Sequence, residues 1–131
     1  DAGAFAEWAV VHGPSYATPV RTLEAALADG RDVLLDIDTQ GAAQLRARYP
    51  EAVLVFIVAP SMAELSQRLR ERKSDAAPDI EHRLGRARDE VALWRKYDYL
   101  IVNRDLKEAV EQLAAIIVAE RACFRNAPFA F

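Results

Sequence analysis

Apolar residues along the chain follow two alternating rhythms: short unbroken runs, and longer stretches in which they return every three or four positions. Asp32 to Ile37 (DVLLDI) and Ala52 to Val58 (AVLVFIV) are unbroken runs, as expected of strands buried on both faces. Tyr97 to Val102 is a third such run. Between them the period changes. Thr18 followed by Pro19 predicts an N-cap and a first helical position, with Leu23, Ala26 and Leu27 on the apolar side and Gly30 as the stop. Asp38-Thr39-Gln40-Gly41 predicts entry into a second helix carrying Ala43, Leu45 and Ala47, with Pro50 just beyond its end. Ser61-Met62-Ala63-Glu64 has the form of a reciprocal capping box and opens a helix whose Leu65 and Leu69 face inward. Lys73 to Pro78 breaks the pattern. Ile80, Leu84, Ala87, Val91 and Trp94 then predict one long amphipathic helix. Asp105 and Glu108 predict the cap of a last helix that buries Leu106, Val110, Leu113 and Ile117, and the tail from Arg121 to Phe131 has no period.

Strands alternating with helices predict an α/β fold: a mainly parallel sheet, joined by right-handed crossovers and covered by helices on both faces. Ligands of such sheets collect beyond the carboxyl ends of the strands, which directs attention to Asp36 through Gly41 and to Asn103. Upstream, Glu7 alternates with Phe5, Ala9 and Val11 as in a strand, and Tyr16 and Thr18 fall in a Gly-Pro loop.

Composition narrows the function more than the fold. The chain has 131 residues, 52% of them hydrophobic and 28% charged, enough for one domain with one core. A formal net charge of -3 gives no reason to expect a nucleic-acid or membrane partner, so any anion binding must be local. The single cysteine, Cys123, excludes an internal disulfide framework and suits a reducing, cytoplasmic setting. The longest apolar run, Ala52 to Ala59, is far short of the ~20 residues that span a bilayer. The opening Asp1-Ala2-Gly3 has no initiator methionine, and a segment is expected upstream of it.

Two sets of residues could carry chemistry. Arg68 and Arg72 lie four apart and share a helix face opposite Leu65 and Leu69; beyond the irregular loop, Arg83 and Arg86 begin another basic face. Guanidinium forks match phosphate oxygens and keep their charge, so such a pair of faces can close over phosphates; equally, it is a solvated surface balanced by Glu64 and Glu71. Asp36 and Asp38 point to the same side at a strand end. Acids there can hold hydrated magnesium, a lysine or the N–H groups of a purine, or Asp38 can simply cap the next helix.

Taken together, the residues resemble a family. Phe5-Ala6-Glu7-Trp8-Ala9, Gly13 to Pro19, Gly30 to Ala42, Pro60-Ser61, Arg68 to Arg72, Arg83-Leu84, Tyr97 to Asn103 and Ala119-Glu120-Arg121 resemble guanylate kinases in order and spacing. The resemblance implies a nucleoside-monophosphate kinase with a GMP-binding segment (1–31), core strands and helix (32–60), a lid region (61–94) and a core strand with a C-terminal helix (95–131). Glu7, Thr18, Tyr16, Asp36, Asp38 and Gly41 would then bind GMP, with Glu7 and Thr18 reading the guanine edge and Tyr16 the phosphate. Arg68, Arg72 and Arg83 would be catalytic lid arginines, and Arg68, Arg72 and Asn103 would meet ATP. The implied reaction is magnesium-dependent transfer from ATP to GMP, with Asp36 reaching the Mg2+ only through water.

The chain departs from that family in places. No G-x-x-x-x-G-K-[ST] occurs anywhere, so the phosphate loop is expected in an upstream segment, and these 131 residues alone are expected to be inactive. Val10 replaces a second acid after Glu7, Pro14-Ser15 and Ala17 flank Tyr16, Glu71 and Lys73 replace the lid's glycines, and Arg104 replaces an acid after Asn103. The competing reading is a catalytically silent guanylate-kinase-like binding module, which guanine-selective binding separates from an enzyme.

Overall fold

The computed structural model describes residues 4–10, 15–71 and 77–123. Two compact units divide the chain, Asp1–Leu54 and Val55–Phe131.

In the first unit, β1 (Phe5–Val10) pairs antiparallel with β2 (Ser15–Pro19), Glu7 opposite Thr18, with an irregularity in the register between Phe5 and Glu7. Tyr16 and Thr18 therefore belong to a strand rather than to a loop. Helix α1 (Val20–Ala28) starts one residue after the expected position, and Pro19 occupies the N-cap with no side-chain cap bond. Thr18 is not its cap, because the hydroxyl is engaged elsewhere, as described below. Val20, Leu23 and Ala26 form the buried stripe, whereas Leu27, expected inside, is half exposed. The helix ends in a Schellman motif: Gly30 has φ 71°, its N–H reaches the Leu27 carbonyl at 3.0 Å, and the Arg31 N–H reaches Ala26 at 3.0 Å.

The segment Asp32–Ile37 corrects the reading of its sequence. It belongs to neither sheet; Val33, Leu35 and Ile37 are half buried while Leu34 is 72% exposed. An apolar strand needs a hydrogen-bonded neighbour and cover on both faces, and the hairpin and helices of this unit bring it no ladder. Helix α2 (Thr39–Arg48) follows, capped by Asp38, and buries Gly41, Ala42 and Leu45; Ala43 and Ala47 face outward.

The second unit holds the parallel pair, β3 (Val55–Val58) beside β4 (Tyr99–Val102), with Ile57 opposite Ile101. Both strands are shorter than their apolar runs. Ile101 is 1% exposed, but Ile57 and Leu100 are about half exposed, so a sheet of two strands is not covered on both faces as expected. Helix α3 (Met62–Glu71) opens with only half of the capping box: Ser61 Oγ accepts from the Glu64 N–H at 3.1 Å, while the Glu64 carboxylate turns to Arg68. Leu69 is its buried residue and Leu65 is half buried. Helix α4 (Ala77–Val91) packs against α3 through a face that includes Ile80, and ends before Trp94, which lies in a separate short 3-10 turn with Arg95 stacked over its ring at 4.6 Å. Helix α5 (Leu106–Arg121) is capped by Asp105, whose Oδ1 accepts from the Glu108 N–H at 3.1 Å, and packs on β4. Ala109 is buried, with Leu113 and Ile117 half buried, whereas Leu106 and Val110, expected inside, are exposed. The inward stripe is rotated toward Ala109, Leu113, Ile116 and Ile117. Among the described residues no helix is long and apolar enough to cross a membrane.

Candidate nucleotide site

Antiparallel pairing places Glu7 and Thr18 opposite one another, on one face of the hairpin. Thr18 Oγ1 donates to Glu7 Oε1 at 2.7 Å. The Glu7 residue is 4% exposed, and a carboxylate so buried is tolerable only when polar groups meet it. Helix α2 packs on β1, and its first turn lies beside Glu7. Asp38 Oδ1 accepts from the Gly41 N–H at 2.8 Å, so the expected capping role is real.

A side-chain carbon placed on Gly41 would lie 2.9 Å from Glu7 Oε2 and 3.5 Å from Asp38 Oδ1. The two carboxylates therefore converge on one point beside the backbone of the first turn of α2. Like charges at that range repel, and the partial positive charge at the helix N-terminus offsets part of the repulsion. What the arrangement offers a ligand is acceptor capacity and negative charge, suited to an N–H-rich edge rather than to a phosphate. Asp36, two residues before Asp38, is exposed.

In the second unit the guanidinium of Arg68 is engaged on three sides. Its Nε donates to Glu64 Oε1 at 2.8 Å, one terminal nitrogen to the Asn103 carbonyl at 2.9 Å and the other to the Arg104 carbonyl at 3.3 Å. The Asn103 N–H meets the Val58 carbonyl at 2.8 Å, extending the parallel ladder by one bond. Arg68 thus ties α3 to the turn that leaves β4. Sequence reasoning placed Arg68 and Asn103 in one site but did not foresee the carbonyls as partners; Glu64, one helical turn before Arg68, was the only signal. Arg83 is half buried on α4, and Arg86, one turn from Glu90, donates to its Oε1 at 3.0 Å. Tyr16 is placed in β2 opposite Ala9, and Arg72 lies outside the described residues. An open hollow on α3, lined by Ala63, Ser66, Gln67, Arg70 and Glu71, contains none of these groups.

Glu7, Thr18, Asp38 and Gly41 are therefore brought together in one unit, and Arg68 and Asn103 in the other. These features define an α/β protein with a cluster of polar side chains gathered at a helix N-terminus. The guanylate kinase family model matches residues 1–120, and the chain belongs to that family. It is 54% identical to the guanylate kinase of Syntrophotalea carbinolica over 118 residues, which make up 90% of this chain and 56% of that protein. The guanylate kinase of Chelativorans sp. is 47% identical over 129 residues, 98% of this chain and 59% of that one. The crystal structure of guanylate kinase from Anaplasma phagocytophilum superposes with a TM-score of 0.76 at 34% identity, covering 94% of this chain and 59% of that one. The chain thus spans between 56% and 59% of the length of these relatives.

Proposed function

We propose that the chain carries the acceptor-nucleotide site, and part of the donor-nucleotide site, of a guanylate kinase that transfers a phosphoryl group from ATP to GMP, giving ADP and GDP. The observation that carries this reading is the convergence of Glu7, Thr18 and Asp38 on the first turn of α2. Guanine presents an N1–H and an exocyclic amine side by side, with O6 beyond them. Glu7 accepts from the two donors. The Thr18 hydroxyl has one proton, directed at Glu7, so donating to O6 requires it to rotate from carboxylate to purine and leaves both Glu7 oxygens for the base. Adenine offers the reverse pattern at these positions and leaves buried groups unpaired, which is the basis of discrimination.

Asp38, packed beside Glu7, belongs to the guanine side in this reading, and exposed Asp36 to the metal side. Among the described residues no group of three or more His, Cys, Asp or Glu forms a cation cage. Magnesium keeps several waters and takes the rest of its ligands from phosphates, and Asp36 would hold it through water. When bound, the ion neutralises charge on the transferring phosphoryl group. Arg68, Arg72 and Arg83 supply the guanidiniums that gather the phosphates, Tyr16 meets the GMP phosphate, and Asn103 lies by the donor's base. The phosphate loop does not occur in this sequence, so catalysis requires one that these 131 residues do not supply.

Calorimetric titration with GMP and with AMP tests the reading. Guanine-selective heat is expected; equal or absent heats would refute the purine site and favour a silent binding module. With MgATP and GMP the 131-residue chain is expected to give no ADP, and turnover would show that it does not need the loop.

A further inference from the structure

Gly41 occupies the third position of α2, where glycine is among the poorer helix residues, and its backbone gives no reason for it, since among the described glycines it is Gly30 that has positive φ. The reason lies in its surroundings. We infer that Gly41 is a positioning residue for purine recognition: the space its missing side chain leaves is where the Glu7 carboxylate sits. An added carbon would stand 2.9 Å from Glu7 Oε2, closer than nonbonded atoms tolerate, with Ile37 Cβ at 3.4 Å and Asp38 Oδ1 at 3.5 Å. Ile37 and the capping Asp38 stand at ordinary contact distance, so the close approach is the one to Glu7. The group that can yield is the end of the Glu7 side chain, and when Oε2 shifts, the acceptor is displaced from the point on which it converges with Asp38.

Gly85 provides the internal control. It lies in α4, and a carbon added there meets nothing within 4 Å. Alanine at that position gains helix propensity alone.

This inference deepens the guanine reading and rests on it, so the test separates the two. Thermal unfolding is compared for Gly41→Ala and Gly85→Ala, each in the native, Glu7→Ala and Glu7→Gln backgrounds. Gly85→Ala is expected to raise the Tm in all three. Gly41→Ala is expected to lower it in the native and Glu7→Gln backgrounds, where a side chain of full length fills the space, and to raise it with Glu7→Ala, where the space is empty. A Tm shift from Gly41→Ala that is the same in every background overturns the inference. In calorimetric titrations Gly41→Ala is expected to weaken GMP binding at least about tenfold, the loss of one well-made bond to a charged group, with AMP heats unchanged. Unaltered GMP affinity in a variant with the predicted Tm pattern also overturns it. A native chain without GMP-selective heat, by contrast, removes the guanine reading while the Tm pattern still reports how Glu7 is seated.

Discussion

The two clusters are assembled by opposite means. Around Glu7, three separate elements (β1, β2 and the first turn of α2) converge, and the side chains are held by one another: Thr18 on Glu7, Asp38 on the Gly41 N–H. Around Arg68, one long side chain does the assembling, and its partners among the described residues are mostly backbone, the carbonyls of Asn103 and Arg104, with Glu64 as the side-chain partner. The first design fixes a pattern of acceptors that can discriminate between bases. The second fixes the path of a turn and leaves the remaining guanidinium N–H groups for another partner. In the proposed reading, discrimination and shaping are thus divided between the units.

The largest expected effect tests that division directly. Glu7→Ala should raise the GMP dissociation constant about 100-fold, since guanine loses the acceptor for two donors, whereas Arg68→Ala should leave it within about twofold. Comparable losses from both, measured by calorimetry, would erase the distinction. Next, Arg68→Ala should destabilise the chain by about 1.5 kcal/mol in urea unfolding, a value reduced because the side chain is one-third exposed, and should speed amide exchange in the turn leaving β4. Unchanged exchange there would mean that the turn holds its own shape. Asp38→Ala should cost about 1 kcal/mol through the lost N-cap, and Asp38→Asn should recover most of it, because the amide oxygen can still accept from Gly41. The smallest effect lies away from both clusters. Tyr99 donates to Glu120 Oε1 at 2.5 Å, and this bond, followed by desolvation, raises the phenol pKa above its ordinary value near 10.0. The folded state therefore holds the proton more tightly than the unfolded chain, and stability should fall as pH rises above about 10. Tyr99→Phe should flatten that alkaline slope and leave GMP binding untouched.

Much of this was legible before any coordinates. Helix positions followed from capping residues, because Asp38, Ser61 and Asp105 act within three or four residues of themselves. The errors share a different cause. Thr18 has the chemistry of a cap, and Glu64 that of a reciprocal cap, yet each found a better partner elsewhere: a carboxylate across the hairpin for one, a guanidinium one turn along for the other. Leu27, Leu106 and Val110 have the right period but stand at the margin of their apolar stripes. Periodicity gives the width of such a stripe without its centre, and the neighbouring element decides where the centre falls.

The amino-acid order alone determined the family, the approximate position of each helix, and the residue types available for contact, because these rest on local preference and on motifs kept in one register. Tertiary structure decided which of those residues meet. It set Glu7 against Thr18 through the pairing of β1 and β2, left DVLLDI outside any sheet, and turned Arg68 to the backbone beyond β4. Hydrogen-bond partners distant in sequence are chosen by geometry and by the cost of leaving a buried polar group unmet, and neither quantity is written in any short stretch of chain.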